Sequence, residues 1–311
     1  MEYLTLKNSD LKVSRFCMGG CPMGGYGWGN VQEEELLEAI HTALENGVNF
    51  FDTADTYGLG QSEITLAKGL GSRRKDVVIQ SKFGVRVGGG KTVYDNSPAY
   101  IESALHESLK RLKTEYIDIY TIHYWDMSTP MDSVMETLLR LKDEGKIRYI
   151  GLSNITAETM TELLPYKGSF VNCQNEFSLA CRKHEQDLLT LQQDLGVTPL
   201  TWGSLGQGIL TGKYDRNTIF GKDDRRSRDI YVNFHGEKLE QNLRIVDVLR
   251  KIAAAHEKTV AACAIRYILD TMPESVVLAG VKRKEQILSN VEAMGWVLTE
   301  DEIHSLEEVS V

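Results

Sequence analysis

The sequence predicts an α/β protein folded as a (β/α)8 TIM barrel, with an N-terminal β-hairpin and extra helices at the C-terminal end. Short apolar segments alternate with longer amphipathic segments, which is typical of parallel strands joined by helices. Eight such units follow one another without a linker-like break, and most of the apolar segments end in a polar residue or a glycine. We therefore expect residues 1–311 to form a single barrel domain.

A doubly wound sheet is the alternative for a chain with this alternation. Its dinucleotide-binding form needs a G-x-G-x-x-G loop after the first strand, and the glycines between Gly25 and Gly29 lack that spacing. A phosphate-binding Walker loop is also missing, because Gly212 has no partner glycine at the required upstream position and Lys213 is followed by Tyr214. The barrel is therefore the better prediction.

The strands are predicted from short apolar runs, which suit strands buried on both faces. Residues 3–6 and 11–14 flank a polar turn at residues 8–10, and this pattern predicts the N-terminal hairpin. The runs that predict barrel strands are, in order, residues 15–18, 48–51, 77–81, 116–122, 147–152, 170–173, 197–201 and 275–278.

The helices are predicted from apolar residues at helical spacing, such as Leu36, Ile40 and Leu44 in the first of them. Pro98 and Pro130 suit the first turn of a helix, and glycines mark several helix ends. Helices are expected at residues 32–46, 62–70, 97–112, 130–144, 156–164, 183–195, 237–256, 260–270 and 285–294, with a last one from residue 300.

Composition and charge restrict the possible partners. The chain has 311 residues with 42% hydrophobic and 25% charged residues, which are ordinary values for a globular protein. Its net charge of −9 argues against nucleic acid or an anionic membrane as a partner. The N-terminus lacks the apolar core of a signal peptide, so a cytoplasmic protein that acts on small molecules is expected, and a homo-oligomer is compatible with the sequence.

The cysteine pattern predicts neither a disulfide framework nor a zinc site. The number of cysteines is odd, and no C-x-x-C motif occurs. We expect buried free thiols at the five positions, which are Cys17, Cys21, Cys173, Cys181 and Cys263.

Three consecutive predicted strands each end in a residue that can hold or transfer a proton. Asp52, Lys82 and His123 follow the second, third and fourth strands, and Tyr57 lies five residues after Asp52. Each has an ordinary structural explanation on its own, as a turn former, a solvated charge, a structural histidine or a packed ring. Because the carboxyl ends of barrel strands meet on one face, we expect the four side chains to lie close together.

Together these four residue types would form a proton-transfer device. A tyrosine with an ordinary pKa of about 10 is a poor acid or base at neutral pH, and a neighbouring lysine cation is expected to lower that pKa. Asp52 would fix Lys82 and offset the cost of burying its charge. His123 would donate a hydrogen bond to a substrate oxygen beside the Tyr57 hydroxyl.

Six segments, spread along nearly the whole chain, form a recognisable series: residues 51–58 (FDTADTYG), 81–82 (SK), 122–123 (IH), 145–154 (GKIRYIGLSN), 174–179 (QNEFSL) and 208–214 (GILTGKY). By these segments and their order the chain resembles the aldo-keto reductase superfamily, with the bacterial members near the potassium-channel β-subunit branch most similar. The resemblance implies an NAD(P)(H)-dependent carbonyl reductase, or an alcohol dehydrogenase in reverse, in which Tyr57 is the general acid, Lys82 and Asp52 tune it, and His123 orients the carbonyl.

The resemblance also implies where a cofactor binds. Ser153, Asn154 and Gln174 match the positions that hold the nicotinamide carboxamide, and Trp202 stands where many members have a tyrosine stacked on the nicotinamide. Helix capping explains Ser153 or Asn154 equally simply, and core packing explains Trp202. Further cofactor contacts are implied for Ser204, Leu205, Gly206, Gly208, Gly280, Lys282, Arg283, Gln286 and, at the adenine, Asn290.

Three departures from the family pattern bear on cofactor choice. Residues 202–205 read Trp-Gly-Ser-Leu where the family has Tyr-Ser-Pro-Leu, Gln286 replaces an arginine of the 2′-phosphate site, and Ser289 replaces a glutamate. Lys282 or Arg283 can still bind a 2′-phosphate, although both also suit a solvated helix start. We therefore expect NADP(H), with NAD(H) as the alternative, and no metal.

The substrate, a small carbonyl or alcohol compound, is expected to lie among apolar and aromatic loops. These loops carry Tyr26 and Trp28, residues 83–90, Tyr124 with Trp125, and the stretch after Gly212. The charged run at residues 222–228 is expected to be a solvated loop, with a lid as the alternative.

Two other functions are compatible with the sequence. The barrel could bind the cofactor as a regulatory subunit with little turnover, or it could use Lys82 as the nucleophile of a Schiff-base enzyme. The complete set of Asp52, Tyr57, Lys82 and His123 favours the reductase.

Overall fold

The structure, a computed structural model, describes residues 1–88 and 91–310. Short apolar runs form strands in the expected order, and all strands of the barrel pair in parallel. In chain order the strands are β1 (Tyr3–Thr5), β2 (Lys12–Ser14), β3 (Phe16–Gly19), β4 (Phe50–Asp52), β5 (Val78–Phe83), β6 (Val85–Gly88), β7 (Lys91–Tyr94), β8 (Ile117–Ile122), β9 (Ile147–Ser153), β10 (Phe170–Glu176), β11 (Thr198–Trp202) and β12 (Val276–Gly280).

The sheet closes on itself in the order β10-β11-β12-β3-β4-β5-β8-β9. This order confirms the predicted (β/α)8 barrel, and it makes β4, β5 and β8 direct neighbours. The pairing of β4 with β5 places Asp52 opposite Gln80, and the pairing of β5 with β8 places Lys82 opposite Thr121. The strand ends that carry Asp52, Lys82 and His123 therefore adjoin one another.

The helices surround the barrel, and most of them bury one apolar face, whereas the helix at Val260–Thr271 is buried on all sides from Ala261 to Leu269. In the first of them Leu36, Ala39, Ile40 and Ala43 are buried, which confirms the predicted spacing. The helices are α1 (Glu33–Glu45), α2 (Gln61–Leu70), α3 (Pro98–Leu112), α4 (Met131–Asp143), α5 (Glu185–Thr190), α6 (Gly236–His256), α7 (Val260–Thr271), α8 (Lys284–Val291) and α9 (Glu300–Val309). None of the helices within the described ranges is long and apolar enough to cross a membrane.

Two predicted helices differ from what the sequence pattern indicated. The segment expected at residues 156–164 is a 3-10 helix at Thr159–Tyr166, with Pro165 inside its last turn. Proline cannot donate the backbone hydrogen bond that would continue an α-helix. The helix expected at residues 183–195 begins two residues later as α5, and it changes to a π-helical turn at Leu191–Leu195.

The two hairpins lie outside the barrel. β1 and β2 pair as predicted, and Leu6, Leu11 and Val13 pack in one buried cluster with residues near the N-terminal ends of barrel strands, such as Phe50 and Val78. This hairpin therefore covers the end of the barrel opposite the strand ends described above. β6 and β7 form a second hairpin, where the glycine-rich sequence had suggested only a loop.

All five cysteines are free thiols, as expected. Cys17, Cys173 and Cys263 are buried, whereas Cys21 and Cys181 are partly exposed. The expectation of burial therefore fails at the last two positions.

The interior of the barrel at β9 has no room for an added methyl group. A Cβ at Gly151 would overlap Thr121 Oγ1 and lie 2.7 Å from Asn172 Oδ1. We expect Gly151→Ala to lower the free energy of unfolding by about 1–3 kcal/mol, because overpacking a close-packed interior forces neighbours to shift. The measurement is denaturant unfolding. Gly88→Ala, where an added Cβ meets nothing within 4 Å, is the control, and equal losses in the two variants would contradict the account.

Candidate active site

Lys82 lies at the centre of a buried polar cluster at the carboxyl ends of the strands. Its Nζ donates to Asp52 Oδ1 (2.6 Å), to the Thr53 carbonyl oxygen (2.9 Å) and to the Tyr57 hydroxyl (3.2 Å). An ammonium group has three hydrogens, so these contacts use all of them. Lys82 is 1% exposed and Asp52 2% exposed. The structure therefore joins three of the four sequence-predicted side chains in one hydrogen-bonded chain.

The second oxygen of Asp52 is also fully engaged. Gln80 Nε2 and Gln174 Nε2 both donate to Asp52 Oδ2, at 3.1 Å and 2.7 Å. Asn172 Nδ2 in turn donates to Gln80 Oε1 at 2.7 Å. These amides hold the carboxylate in one orientation, and Asp52 holds Lys82.

Gln80 and Asn172 belong to this cluster but were not predicted as site residues from the sequence. The signal was available, because each is a polar residue in the middle of an apolar run that predicted a strand buried on both faces. A polar side chain in such a strand needs a buried partner. The prediction of each strand by itself does not identify the partner, because Gln80 lies on β5 and Asn172 lies on β10, about ninety residues later in the chain.

The Tyr57 hydroxyl faces Lys82, and the Lys82 ammonium lies 4.8 Å from the centre of the Tyr57 ring. Burial raises the pKa of Tyr57 well above its ordinary value, and the negative charge of Asp52 raises it further. The expectation that Lys82 would lower this pKa is therefore wrong for the ligand-free protein. Asp52 neutralises the lysine, and the cost of burying a phenolate outweighs the remaining attraction. Tyr57 is a neutral phenol, and it can donate its proton.

His123 completes the group directly after β8. Its ring meets the Tyr57 ring edge to face, with centroids 5.9 Å apart. Burial and the Lys82 charge hold the pKa of His123 well below its ordinary value, so the imidazole is neutral. Its Nδ1 is buried and has no hydrogen-bond partner among the described residues. A neutral imidazole keeps one N–H, and His123 lines the cavity described below, so it can donate a hydrogen bond to a bound molecule.

A cavity of about 460 Å³ opens beside this cluster. Asp52, Tyr57 and His123 line it, whereas Lys82 lies beneath them and is not part of the lining. Most of the residues implied as cofactor contacts also line the cavity: Ser153, Asn154, Gln174, Trp202, Ser204, Leu205, Gly208, Gly280, Lys282 and Gln286.

Three residues implied as cofactor contacts do not line this cavity. The Arg283 guanidinium binds Glu35 at the surface, with Nε 3.0 Å from Oε2. Asn290 is 2% exposed, and Gly206 is buried in the loop after β11. Gln286, which does line the cavity, uses Oε1 to accept hydrogen bonds from the backbone amides of Lys282 and Arg283.

A long segment after β11, residues 213–231, crosses the cavity, and we call it the strap. Arg225 and Arg226 of the strap line the cavity. Arg226 is 8% exposed, forms an ion pair with Asp224 (2.6 Å), and lies 4.5 Å from the Phe220 ring centroid. Within the charged run at residues 222–228, the expected solvation is therefore wrong at residues 224–226, whereas Lys222, Asp223, Ser227 and Arg228 are exposed as expected. Aromatic residues bury the arginine stem and face, which the charge pattern alone does not reveal.

The strap is tied to the loop that carries Trp28. Asp224 forms an isolated β-bridge with Trp28, and Arg225 NH2 donates to the Tyr26 carbonyl oxygen at 2.9 Å. Lys282 Nζ also reaches this loop, at 2.7 Å from the Trp28 carbonyl oxygen. Two segments far apart in sequence therefore form one cover over the cavity.

The expected aromatic rim is formed in part by the β6–β7 hairpin. Tyr124 lines the cavity and stacks on Tyr94 of β7, with ring centroids 4.9 Å apart and planes 9° from parallel. Gly89 and Gly90 of the expected rim, and Val311 at the end of the expected domain, lie outside the described residues.

The comparisons with known proteins agree with this architecture. Residues 15–311 match the Aldo/keto reductase family. The chain is 32% identical over 305 residues to aldo-keto reductase YhdN of Bacillus subtilis, covering 97% of this chain and 91% of that protein. It is 30% identical over 329 residues to the NADH-specific methylglyoxal reductase of Escherichia coli, covering 100% and 98%. The solved structure of glycerol dehydrogenase AKR11B4 from Gluconobacter oxydans is 32% identical with a TM-score of 0.88, covering 99% and 94%.

The fold and these similarities define an NAD(P)-dependent oxidoreductase that acts on carbonyl or alcohol groups. The chain belongs to the aldo/keto reductase family, which confirms the resemblance seen in the sequence. Members of this family use NADP(H) or NAD(H), and relatives named for each cofactor match this chain.

The donor set of the cavity fits a nicotinamide dinucleotide. The hydroxyl of Ser153 and the amides of Asn154 and Gln174 suit a carboxamide, which both donates and accepts hydrogen bonds. Trp202 offers a flat ring at the cavity wall. Arg225 of the strap also lines the cavity, and its guanidinium charge suits an anionic pyrophosphate.

The Asp52–Lys82 pair yields a stability prediction. Lys82→Met leaves the buried Asp52 carboxylate without its cation, and we expect the free energy of unfolding at pH 8 to fall by about 3–5 kcal/mol. Lys82→Met combined with Asp52→Asn removes both charges, so it should lose less. Denaturant unfolding of the ligand-free protein measures both variants. A double variant at least as unstable as the single one would show that the charge pair does not dominate.

Proposed function

We propose that this protein is a cytoplasmic, single-domain carbonyl reductase that reduces an aldehyde or ketone with NADPH, using Tyr57 as the proton donor. The observation that carries the proposal is the hydrogen-bonded chain from Asp52 through Lys82 to the Tyr57 hydroxyl, which ends at the cavity. The raised pKa of Tyr57 keeps the phenol protonated, which is the form that a proton donor to a carbonyl needs.

The chain's own residues have the following roles in this proposal. Tyr57 and His123 hold the carbonyl oxygen of the substrate at the cavity wall, where both side chains are exposed to a bound molecule. A bound reduced nicotinamide supplies the hydride. As negative charge develops on the oxygen, Tyr57 transfers its hydroxyl proton, and the Lys82 ammonium stabilises the phenolate that remains. Asp52 keeps Lys82 in position.

Ser153, Asn154, Gln174 and Trp202 would hold the nicotinamide end of the cofactor. Their side chains are fixed before binding, since Asn154 Nδ2 donates to Ser153 Oγ and to the His123 carbonyl oxygen, each at 3.0 Å. Gln174 is fixed by its bond to Asp52. This pre-organisation lowers the entropy cost of binding. The strap excludes water from the cavity by covering it with Arg226 and its aromatic neighbours.

The Schiff-base alternative is disfavoured by the position of Lys82. All three ammonium hydrogens of Lys82 are engaged, and its side chain does not line the cavity. A nucleophilic amine needs a free lone pair that reaches the substrate. The regulatory-subunit alternative is compatible with the same geometry, and only measured turnover separates it from the reductase.

Replacing Tyr57 tests the proposed acid. We expect Tyr57→Phe to reduce turnover by about 10²–10⁴-fold, because the reaction loses its positioned proton donor. The assay is NADPH oxidation over a panel of aldehydes and ketones. Cofactor affinity, followed by fluorescence of Trp28 and Trp202 at the cavity wall, should change little. Tyr116→Phe, a residue just before β8 with its ring against Arg74, is the matched control. Unchanged turnover in Tyr57→Phe would exclude Tyr57 as the acid.

Lys282 supports NADP(H) over NAD(H). It lines the cavity, and burial together with the positive charge of Arg226 lowers the pKa of Lys282. A bound phosphate would relieve this crowding of positive charges. The neighbouring Arg283 lies outside the cavity and is paired with Glu35, so it is not needed for this role.

Two variants, each with methionine in place of a cationic side chain, test this choice of cofactor. We expect Lys282→Met to raise the dissociation constant of NADPH about tenfold more than that of NADH, since one charge-assisted contact corresponds to about 1.5 kcal/mol. Arg283→Met should affect both cofactors equally and weakly. Fluorescence titration of each variant with each cofactor measures this difference. An equal loss for NADPH and NADH in Lys282→Met would contradict the role of Lys282 at a 2′-phosphate.

A further inference from the structure

Asp55 is a carboxyl on the Tyr57 loop that the proposed reaction does not use. It lies two residues before Tyr57, and its backbone amide faces the Lys82 carbonyl oxygen at 3.5 Å. Oδ1 of Asp55 is buried and has no hydrogen-bond partner among the described residues. Oδ2 contacts the hydroxyl of Tyr100 on α3 at 3.0 Å.

The Tyr100 hydroxyl has two neighbours but a single hydrogen. It lies 3.0 Å from Asp55 Oδ2 and 2.9 Å from the carbonyl oxygen of Val85. An ionised Asp55 and the Val85 carbonyl would both be acceptors, and the single phenol hydrogen could serve only one of them. A protonated Asp55 satisfies both contacts, because the phenol then donates to Val85 and the carboxyl donates to the phenol oxygen.

We propose that Asp55 is a protonated positioning residue, whose carboxylic acid donates to Tyr100 and so links the Tyr57 loop to the β6–β7 hairpin. The unpartnered Oδ1 agrees with this assignment. A buried carbonyl-type oxygen without a partner costs far less than half of an ionised carboxylate without one.

The charged surroundings of Asp55 also favour the neutral acid. Burial raises the pKa of Asp55 to about 7, and the nearby Glu63 carboxylate adds to the increase. Arg111 attracts the Asp55 carboxylate and lowers its pKa in part, but the Arg111 Nε is bound to Glu63 Oε2 at 2.6 Å. Five titratable or charged groups face Asp55: Glu63 on α2, Tyr100 and Arg111 on α3, Tyr57 on its own loop, and Tyr120 on β8. The ion pair of Arg86 with Asp95 lies farther away, on the other side of the Tyr100 ring.

The link reaches the substrate side of the cavity through the hairpin. Val85, which accepts from Tyr100, is paired directly with Tyr94 across the hairpin. Tyr94 stacks on Tyr124, whose ring is 5.1 Å from that of His123. When Asp55 loses its proton, the Tyr100 hydrogen turns to the carboxylate, and the Val85 carbonyl loses its donor. The wall beside His123 is then held less firmly.

The direct test observes the carboxyl in the ligand-free protein, without any assay of activity. Aspartates are labelled with ¹³C at the carboxyl carbon, and their resonances are titrated in the wild type and in Asp55→Asn. We expect one resonance with a midpoint of about 7 that is absent in the variant. If the resonance lost in Asp55→Asn titrates below pH 5, Asp55 is an ordinary carboxylate and the proposal is overturned.

Stability provides a second readout that is independent of catalysis. The folded protein keeps the Asp55 proton up to pH about 7, whereas the unfolded chain loses it near the ordinary value of 3.8. The group's contribution is therefore full below pH 3.8, falls as the pH rises to about 7, and is constant above. The unfolding midpoint of the wild type should decline over this interval more steeply than that of Asp55→Asn. Parallel profiles would contradict the proposal.

Catalysis provides the third readout, which alone rests on the proposed function. We expect the kcat of the wild type to decline above pH 7, where Asp55 loses its proton. Asparagine can donate to Tyr100 at every pH, so Asp55→Asn should keep most of the wild-type kcat at pH 6 and should not show this decline. Asp55→Leu cannot donate, and it should have a reduced kcat at both pH values. An alkaline decline that persists in Asp55→Asn would exclude Asp55 as its source. Absence of turnover in the wild type would reject the proposed function but leave the two ligand-free tests valid.

Discussion

The buried ion pair between Lys82 and Asp52 is the interaction on which the rest of the site depends. Both side chains are almost completely shielded from water, so neither charge can be kept there without the other. The barrel supplies the remaining partners from several strands: amides of Gln80 and Gln174 on one side of Asp52, and the Tyr57 hydroxyl on the other side of Lys82. The Tyr57 hydroxyl is held 3.2 Å from the Lys82 ammonium, and it stays protonated because burial raises its pKa.

This arrangement explains how one site can hold a neutral acid and still make proton transfer favourable. Burial raises the pKa of Tyr57 in the ligand-free protein, which keeps the proton in place. In the proposed reaction, a carbonyl that gains negative charge at the cavity wall changes this balance, because the proton then moves toward a stronger base while Lys82 faces the phenolate. His123 stays neutral for a related reason, since burial and Lys82 both oppose its protonation. Burial therefore sets the protonation state of both groups, and the Lys82 charge reinforces it at His123.

The sequence predicted the parts of the site that depend on strand position. Asp52, Lys82 and His123 end consecutive apolar runs, and in a parallel barrel that alone is enough to make them neighbours. The barrel and most element boundaries followed from the same periodicity. Residues 15–311 match the Aldo/keto reductase family, which confirms the resemblance carried by those motifs.

What the sequence did not predict depends on tertiary contacts. The pKa of Tyr57 depends on the degree of burial, which no pattern of neighbours along the chain reports. Residues 222–228 of the strap were interpreted as solvated because their charges are dense, yet Arg226 is buried by Tyr214 and Phe220 together with Trp28, which lies about two hundred residues away along the chain. The short β6–β7 hairpin was missed because its strands are exposed and surrounded by glycines, so they lack the apolar alternation of a half-buried strand.

The central claim is that the cavity brings a nicotinamide hydride and the Tyr57 proton to the two ends of one carbonyl bond. The most direct measurement is a single turnover in ordinary water with NADPH that carries deuterium at the transferable position of the nicotinamide. The account predicts an alcohol with deuterium on the former carbonyl carbon and ordinary hydrogen on its oxygen. A product without that deuterium, or with the label lost to solvent, would contradict direct hydride transfer and with it the proposed function.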